Sequence, residues 1–201
     1  MSCDIVLVGV GGQGVLTIGE LFLRAAFAAD VPGSFLPMKG MAQRGGSVKA
    51  EVRLGREGVG PRIPERGADL VVGMERSETL RGLCFAKPAG TVLLFDEVWE
   101  PTGVMLGVDA YPTLDRVAKE IRKVADRLII LDPADVPRVD GRRVSANVYV
   151  LGAMLGLAPL YEMLPVEAIE RVLADRWPKS AAFNVAGFRA GRAQSAAEAT
   201  G

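Results

Sequence analysis

The chain has 201 residues, 49% of them hydrophobic, with 24 acidic against 24 basic side chains and no histidine. That length supports one domain with a substantial core. Zero net charge argues against nucleic-acid binding, which needs a dominant basic field, and the missing histidine excludes a His-based triad or a His-ligated metal in this chain.

The apolar run from Ile5 to Val8 ends in glycine and predicts a central strand. Val15 to Ala29 places Val15, Leu16, Ile18, Leu21, Phe22, Ala25 and Ala26 at helical spacing, and "DVPG" at 30–33 stops that helix. Residues 34–37 predict a second strand, and 38–46 a glycine-rich, charged loop. From 47 to 55, Val48, Ala50, Val52 and Leu54 alternate with Ser47, Lys49, Glu51 and Arg53. This period of two predicts a half-exposed strand, antiparallel or at an edge. Residues 56–67 form a Gly/Pro loop, and 68–75 another buried strand with a polar tip. Ser77 to Phe85 predicts a helix, "KPAG" a break, and Thr91 to Phe95 a strand. Residues 101–109 read as strand or loop, Leu114 to Ala125 as a helix and 127–132 as a strand, with a loop after it. Val144 to Leu157 predicts a buried helix, Val166 to Arg176 an amphipathic helix opened by Pro165, and the following segment more helix.

Strands alternating with helices imply a Rossmann-like three-layer α/β domain, with a mostly parallel sheet and at least one antiparallel or edge strand. Residues 1–190 are expected to form this single domain, and 191–201, small and polar, a frayed tail. No run approaches the ~20 apolar residues of a membrane span, and no signal peptide is expected. Cys3 and Cys84 are unpatterned. They read as free thiols of a cytoplasmic protein, and two thiols cannot supply the four ligands of an iron–sulfur cluster. No metal site and no catalytic residue are assigned to this chain.

The stretch "GVGGQG" at 9–14 matches the G-x-G-x-x-G dinucleotide pattern. Gly9 permits a tight turn, Gly11 lets a ligand approach the backbone, and Gly14 lets the helix pack near the strand. Free N–H groups at the helix start attract an anion. A NAD site also needs a carboxylate at the end of the second strand. Met38 and Lys39 stand there instead, and Lys39 suits a phosphorylated ribose better than a free one.

A second glycine motif, "KGMAQRGGSV" at 39–48, follows the second strand. Loops after parallel strands emerge at one edge of the sheet, so Gln13 and Arg44 are expected to face one crevice. Together, "GVGGQGVLT" and "GMAQRGGSV" resemble the gamma domain of the 2-oxoacid:ferredoxin oxidoreductases. Within that family the "GMAQRGG" form is similar to the branch of indolepyruvate ferredoxin oxidoreductase beta subunits. Other branches read more like "YGPEXRGG" here. "VRLG" at 52–55, "ADLVVGMERSETLR" at 68–81, "SANVYVLGAM" at 145–154 and "VEAIERVL" at 166–173 extend the likeness over most of the chain.

The resemblance implies a small subunit that is inactive alone. A large alpha subunit would carry thiamine diphosphate with Mg2+ and the iron–sulfur clusters. The complex would convert an arylpyruvate, coenzyme A and oxidised ferredoxin to an acyl-CoA, carbon dioxide and reduced ferredoxin. Gly11, Gly12, Gln13, Gly14, Lys39, Arg44, Gly45 and Gly46 are the candidate cofactor-binding residues. Gln13 and Arg44 would contact coenzyme A or backbone near the cofactor, and Lys39 would meet a CoA phosphate. Lys39 stands where relatives of this branch often carry histidine. The rival reading makes both loops a subunit interface only. Asn147 reads as a helix cap, Glu75 and Arg76 as an exposed ion pair, and Asp96 and Glu97 receive no role. A homodimer of the isolated chain stays open. So do two other classes: a stand-alone NADP- or nucleotide-binding module, and a non-catalytic assembly protein.

Overall fold

The computed structural model describes residues 1–40 and 45–198. The apolar run near the start becomes β1, Cys3–Val10, buried along its whole length. Successive side chains leave a strand on opposite faces, and both faces are covered here. Ile5 and Leu7 join one apolar core, Val6 and Val8 the other. The run therefore reads as continuous rather than alternating.

After β1 come α1 (Val15–Ala28), β2 (Gly33–Lys39), β3 (Ser47–Leu54) and β4 (Ala68–Gly73). Next are α2 (Arg76–Gly82), β5 (Ala86–Phe95), α3 (Thr102–Met105), α4 (Leu114–Ile121) and β6 (Arg127–Leu131). A short ribbon pairs Arg138–Val139 with Arg142–Arg143. The chain closes with α5 (Ala146–Leu155), α6 (Leu160–Met163), α7 (Val166–Arg176) and α8 (Ala181–Glu198). The six strands lie in the order β2-β3-β1-β4-β5-β6. The first core gathers α1, α5, α7 and α8 on one face, and the second α2 and α4 on the other, which gives the three layers expected.

β1, β4, β5 and β6 are parallel, whereas β3 is antiparallel to both of its neighbours. The expected antiparallel strand is thus present, but it lies inside the sheet, and the edge belongs to β2. Pro37 suits that edge, since it has no N–H to donate to a further strand. Because β3 runs back between them, β1 and β2 point the same way. Val10 pairs with Ser47 and Lys39 with Val48, so the ends of β1 and β2 meet at one rim.

The polar side of β3 meets solvent at Ser47, as its alternation suggests, but is covered at Glu51 and Arg53. Glu51 is 1% exposed and accepts the Ile63 N–H at 2.5 Å. Arg53 donates to the carbonyls of Gly60 and Arg62 and to both oxygens of Asp4. The Gly/Pro segment 56–67 is thereby held across that face. Further on, "KPAG" lies inside β5, where the pairing with β4 shifts register. Residues 102–105 form one helical turn, and α4 stops at Ile121, a turn early.

α8 continues to Glu198, through the segment expected to fray. Ser195 is fully buried, and a Cβ on Gly191 would run into the Tyr149 carbonyl. A Cβ on Gly152 would likewise strike the Phe188 carbonyl, so α5 and α8 pack backbone against backbone. Among the described residues no helix is long and apolar enough to cross a membrane.

Candidate functional site

The rim where β1 and β2 end opens into a cleft of about 1060 Å3. Four pieces of chain wall it: residues 10–17, the β2–β3 connection at Lys39, Gly40 and 46–48, Glu97 with Trp99 after β5, and Ser145–Asn147 at the start of α5. The two glycine motifs touch directly, since the Gly11 N–H donates to the Gly46 carbonyl at 2.9 Å. The shared crevice expected from the sequence therefore joins Gly11–Gly14 to Lys39 and Gly46, with Gly45 beside the indole of Trp99. Arg44, and with it Met41 and Gln43, lies outside the described residues.

Gln13 lines the cleft, but its side chain is engaged with the frame. Its Oε1 accepts the Val10 N–H at 2.8 Å, and its Nε2 donates to the Met74 carbonyl at 2.8 Å and to Glu97 Oε2 at 2.7 Å. Both amide protons are used. Gln13 braces the ends of β1, β4 and β5 against one another and has no N–H left for a ligand.

Gly14 has φ of 78° and starts α1. Its α-proton side rests on Asn147, whose amide a Cβ would strike, so glycine is required both by conformation and by space. No side chain caps α1, and no acid stands in its first turn. The first-turn N–H groups and the positive end of the dipole therefore open onto the cleft at Val15–Thr17. The start of α5 repeats the arrangement: Ser145 sits at the cap position without a side-chain cap bond. Asn147, read as a cap from the sequence, is instead the second helical residue and part of the cleft wall. Lys39 is exposed at the end of β2 and is the one cation among the described lining residues. Glu97 is the one acid there, and it is already bonded to Gln13. Two helix starts and a lysine thus converge on one space, an arrangement that favours an anionic ligand.

Glu75 and Arg76 do not form the exposed pair expected. Glu75 is 1% exposed and caps α2, accepting from the N–H groups of Ser77 and Glu78 at 2.9 and 2.8 Å. It also accepts the hydroxyl of Tyr111. Burial first, and then this hydrogen bond, push the Tyr111 phenol above its usual pKa. Arg76 reaches Asp96 in a two-point pair, with Nη2 to Oδ2 at 2.8 Å. Glu97, Trp99, Ser145 and Ala146 are site residues that the sequence reading passed over. The one available signal was the position of Glu97 at a strand end, on the same edge as the glycine loops.

Residues 4–194 match the family described as pyruvate ferredoxin/flavodoxin oxidoreductase. The chain belongs to this family. Within the pyruvate ferredoxin/flavodoxin oxidoreductase family it is similar to the indolepyruvate oxidoreductase subunit IorB of Archaeoglobus fulgidus. The two are 37% identical over 177 residues, which is 87% of this chain and 86% of the relative. The IorB subunit of Thermococcus kodakarensis is 32% identical over 189 residues, or 94% and 93% of the two chains. Solved structures share the fold. Pyruvate oxidoreductase subunit PORC of Thermotoga maritima matches at a TM-score of 0.69 and 20% identity, covering 96% of each chain. The 2-oxoglutarate:ferredoxin oxidoreductase of Magnetococcus marinus, solved with 2-oxoglutarate, coenzyme A and succinyl-CoA bound, matches at 0.70 and 18% identity. That match covers 98% of this chain but only 31% of the longer one. Members of this family are enzyme subunits, and this chain is a small subunit of the 2-oxoacid:ferredoxin oxidoreductase type.

Proposed function

We propose that the chain is the small subunit of an arylpyruvate-type, indolepyruvate-consuming oxidoreductase, and that its cleft receives the phosphate-bearing part of coenzyme A. The observation that carries this reading is the convergence of two uncapped helix starts, α1 and α5, with Lys39 on one cleft. Partial positive charge at both helix ends and a full charge on the ammonium group suit the phosphates of such a thioester carrier. Gly11 and Gly46 keep the floor free of side chains, so a ligand can lie against backbone. Gln13 acts as a brace that keeps this floor in register with β4 and β5.

The other groups of the reaction fit the larger partner. Cys3 is buried at the start of β1 and Cys84 is exposed, so these two thiols do not share a site for a cluster of four ligands. In this reading thiamine diphosphate with Mg2+ and the clusters would be held by the alpha subunit, with ferredoxin as the electron acceptor. Bound there, thiamine diphosphate would supply an electron sink for decarboxylation, and the clusters would supply single-electron transfer. The NADP-binding alternative loses support from the topology. A dinucleotide fold sets its second parallel strand beside the first, and here β3 fills that place.

Co-expression with the large subunit tests the reading. Indolepyruvate and phenylpyruvate should drive CoA-dependent viologen reduction only when both chains are present. Lys39→Ala is expected to raise the KM for CoA on the order of tenfold with kcat retained, about 1.4 kcal/mol of lost binding. An unchanged KM in a normally assembled complex would take CoA out of this cleft.

A further inference from the structure

The segment between β5 and α4 carries an unusual surface. Val98, Trp99, Met105, Leu106 and Val108 are all exposed, the last three at 66%, 72% and 78%. Elsewhere among the described residues, exposed large apolar side chains stand singly along the chain. Single exposed residues are ordinary, but a run of them on one short segment marks a contact surface.

The segment is held in place at both ends. Glu97 accepts from Gln13 at 2.7 Å, and Tyr111 donates to the buried carboxylate of Glu75. The Trp99 N–H donates in turn to the Tyr111 hydroxyl oxygen at 3.3 Å. Residues 102–105 add a helical turn. The apolar side chains are thus displayed on backbone that the rest of the fold positions.

Charge narrows the choice of occupant. Between Asp96 and Asp115 the chain has acidic side chains and no lysine or arginine, although the whole chain is balanced. Asp96 is spent on Arg76 and Glu97 on Gln13. Glu100 and Asp109 remain to edge the apolar strip. A twofold dimer through this strip would set those acids against their own copies. An acidic partner would be repelled in the same way. Trp99 also lines the cleft, so whatever covers the strip reaches the mouth of the proposed CoA site.

We propose that residues 98–108 are the docking strip for the large oxidoreductase subunit, which meets it with an apolar surface flanked by lysine or arginine. This rests on the small-subunit reading above. The test is the dissociation constant of the full chain for the co-expressed large subunit, with the melting temperature of each free chain measured alongside. The triple variant Met105→Ser, Leu106→Ser, Val108→Ser should keep its melting temperature and bind at least about thirtyfold more weakly. Glu100→Lys with Asp109→Lys should weaken binding at low salt, by a factor that narrows in about 0.5 M salt. Wild-type affinity in both variants overturns the proposal. It is also overturned if the triple variant dissociates a homodimer of the free chain and leaves the complex intact. If the wild-type chains form no complex, the small-subunit reading falls, and the strip assignment falls with it.

Discussion

Gln13 ties three strand ends together with one amide group. Replacing it with alanine strands the Val10 N–H, the Met74 carbonyl and the Glu97 carboxylate. A stranded buried polar group costs about 1–3 kcal/mol, and partial exposure of this site puts the expected loss toward the middle of that range. Urea unfolding of Gln13→Ala should show it as a lower midpoint with an unchanged slope. A variant of wild-type stability would mean the brace carries no load. The sequence puts Gln13 at the crevice and predicts contact with coenzyme A or with backbone near the cofactor; its amide in the structure is bonded to the frame of the cleft. Its partners Met74 and Glu97 lie 61 and 84 positions away, and only the strand order brings them near. Tyr111 offers a second residue-scale test. Its folded pKa is raised, so the neutral phenol is the form that holds Glu75. The stability it adds is fully present below the unfolded value of about 10 and is lost as pH rises through the higher folded value. The stability gap between wild type and Tyr111→Phe should therefore shrink above about pH 10. A gap that stays constant at such pH would show that the hydroxyl does not hold the segment between β5 and α4 to Glu75.

The α5–α8 pair shows what small residues do at the level of elements. α5 reads from sequence as a buried helix because its apolar side chains surround it. α8 gives no such signal: alanine, glycine and serine carry little hydrophobic periodicity, so its last turns looked like a tail. Those residues let the two backbones close on each other at Gly152 and Gly191. Gly152→Ala or Gly191→Ala forces backbone apart rather than a side chain aside. Overpacking of this kind costs about 1–3 kcal/mol or somewhat more, and thermal unfolding should show a clear fall in melting temperature. No fall in either variant would indicate that the helices yield freely. β3 teaches the converse. Its alternation was readable, but alternation cannot say whether the polar side meets water or another segment. Here it meets 56–67, through Glu51 and Arg53.

For the whole molecule, the α/β alternation and three layers follow from periodicity, because each strand and helix carries its own pattern of burial. The order of strands does not, since β3 pairs as well beside β1 as at an edge. Half of the cleft shares this fate. The glycine motifs advertise themselves, whereas Ser145–Asn147 and Trp99 enter the site only through the folding of distant segments onto one rim.

The return of β3 between β1 and β2 has a mechanical result. β2 and β3 form an antiparallel pair bonded along its length, from Gly33 with Leu54 to Lys39 with Val48. Its footing is secured by the Gly40 N–H on the Ser47 carbonyl and by Gly11 on Gly46. The described ends of the β2–β3 connection, Gly40 and Gly46, are therefore fixed to the sheet, and the cleft wall they form shares the stiffness of the woven strands beneath it.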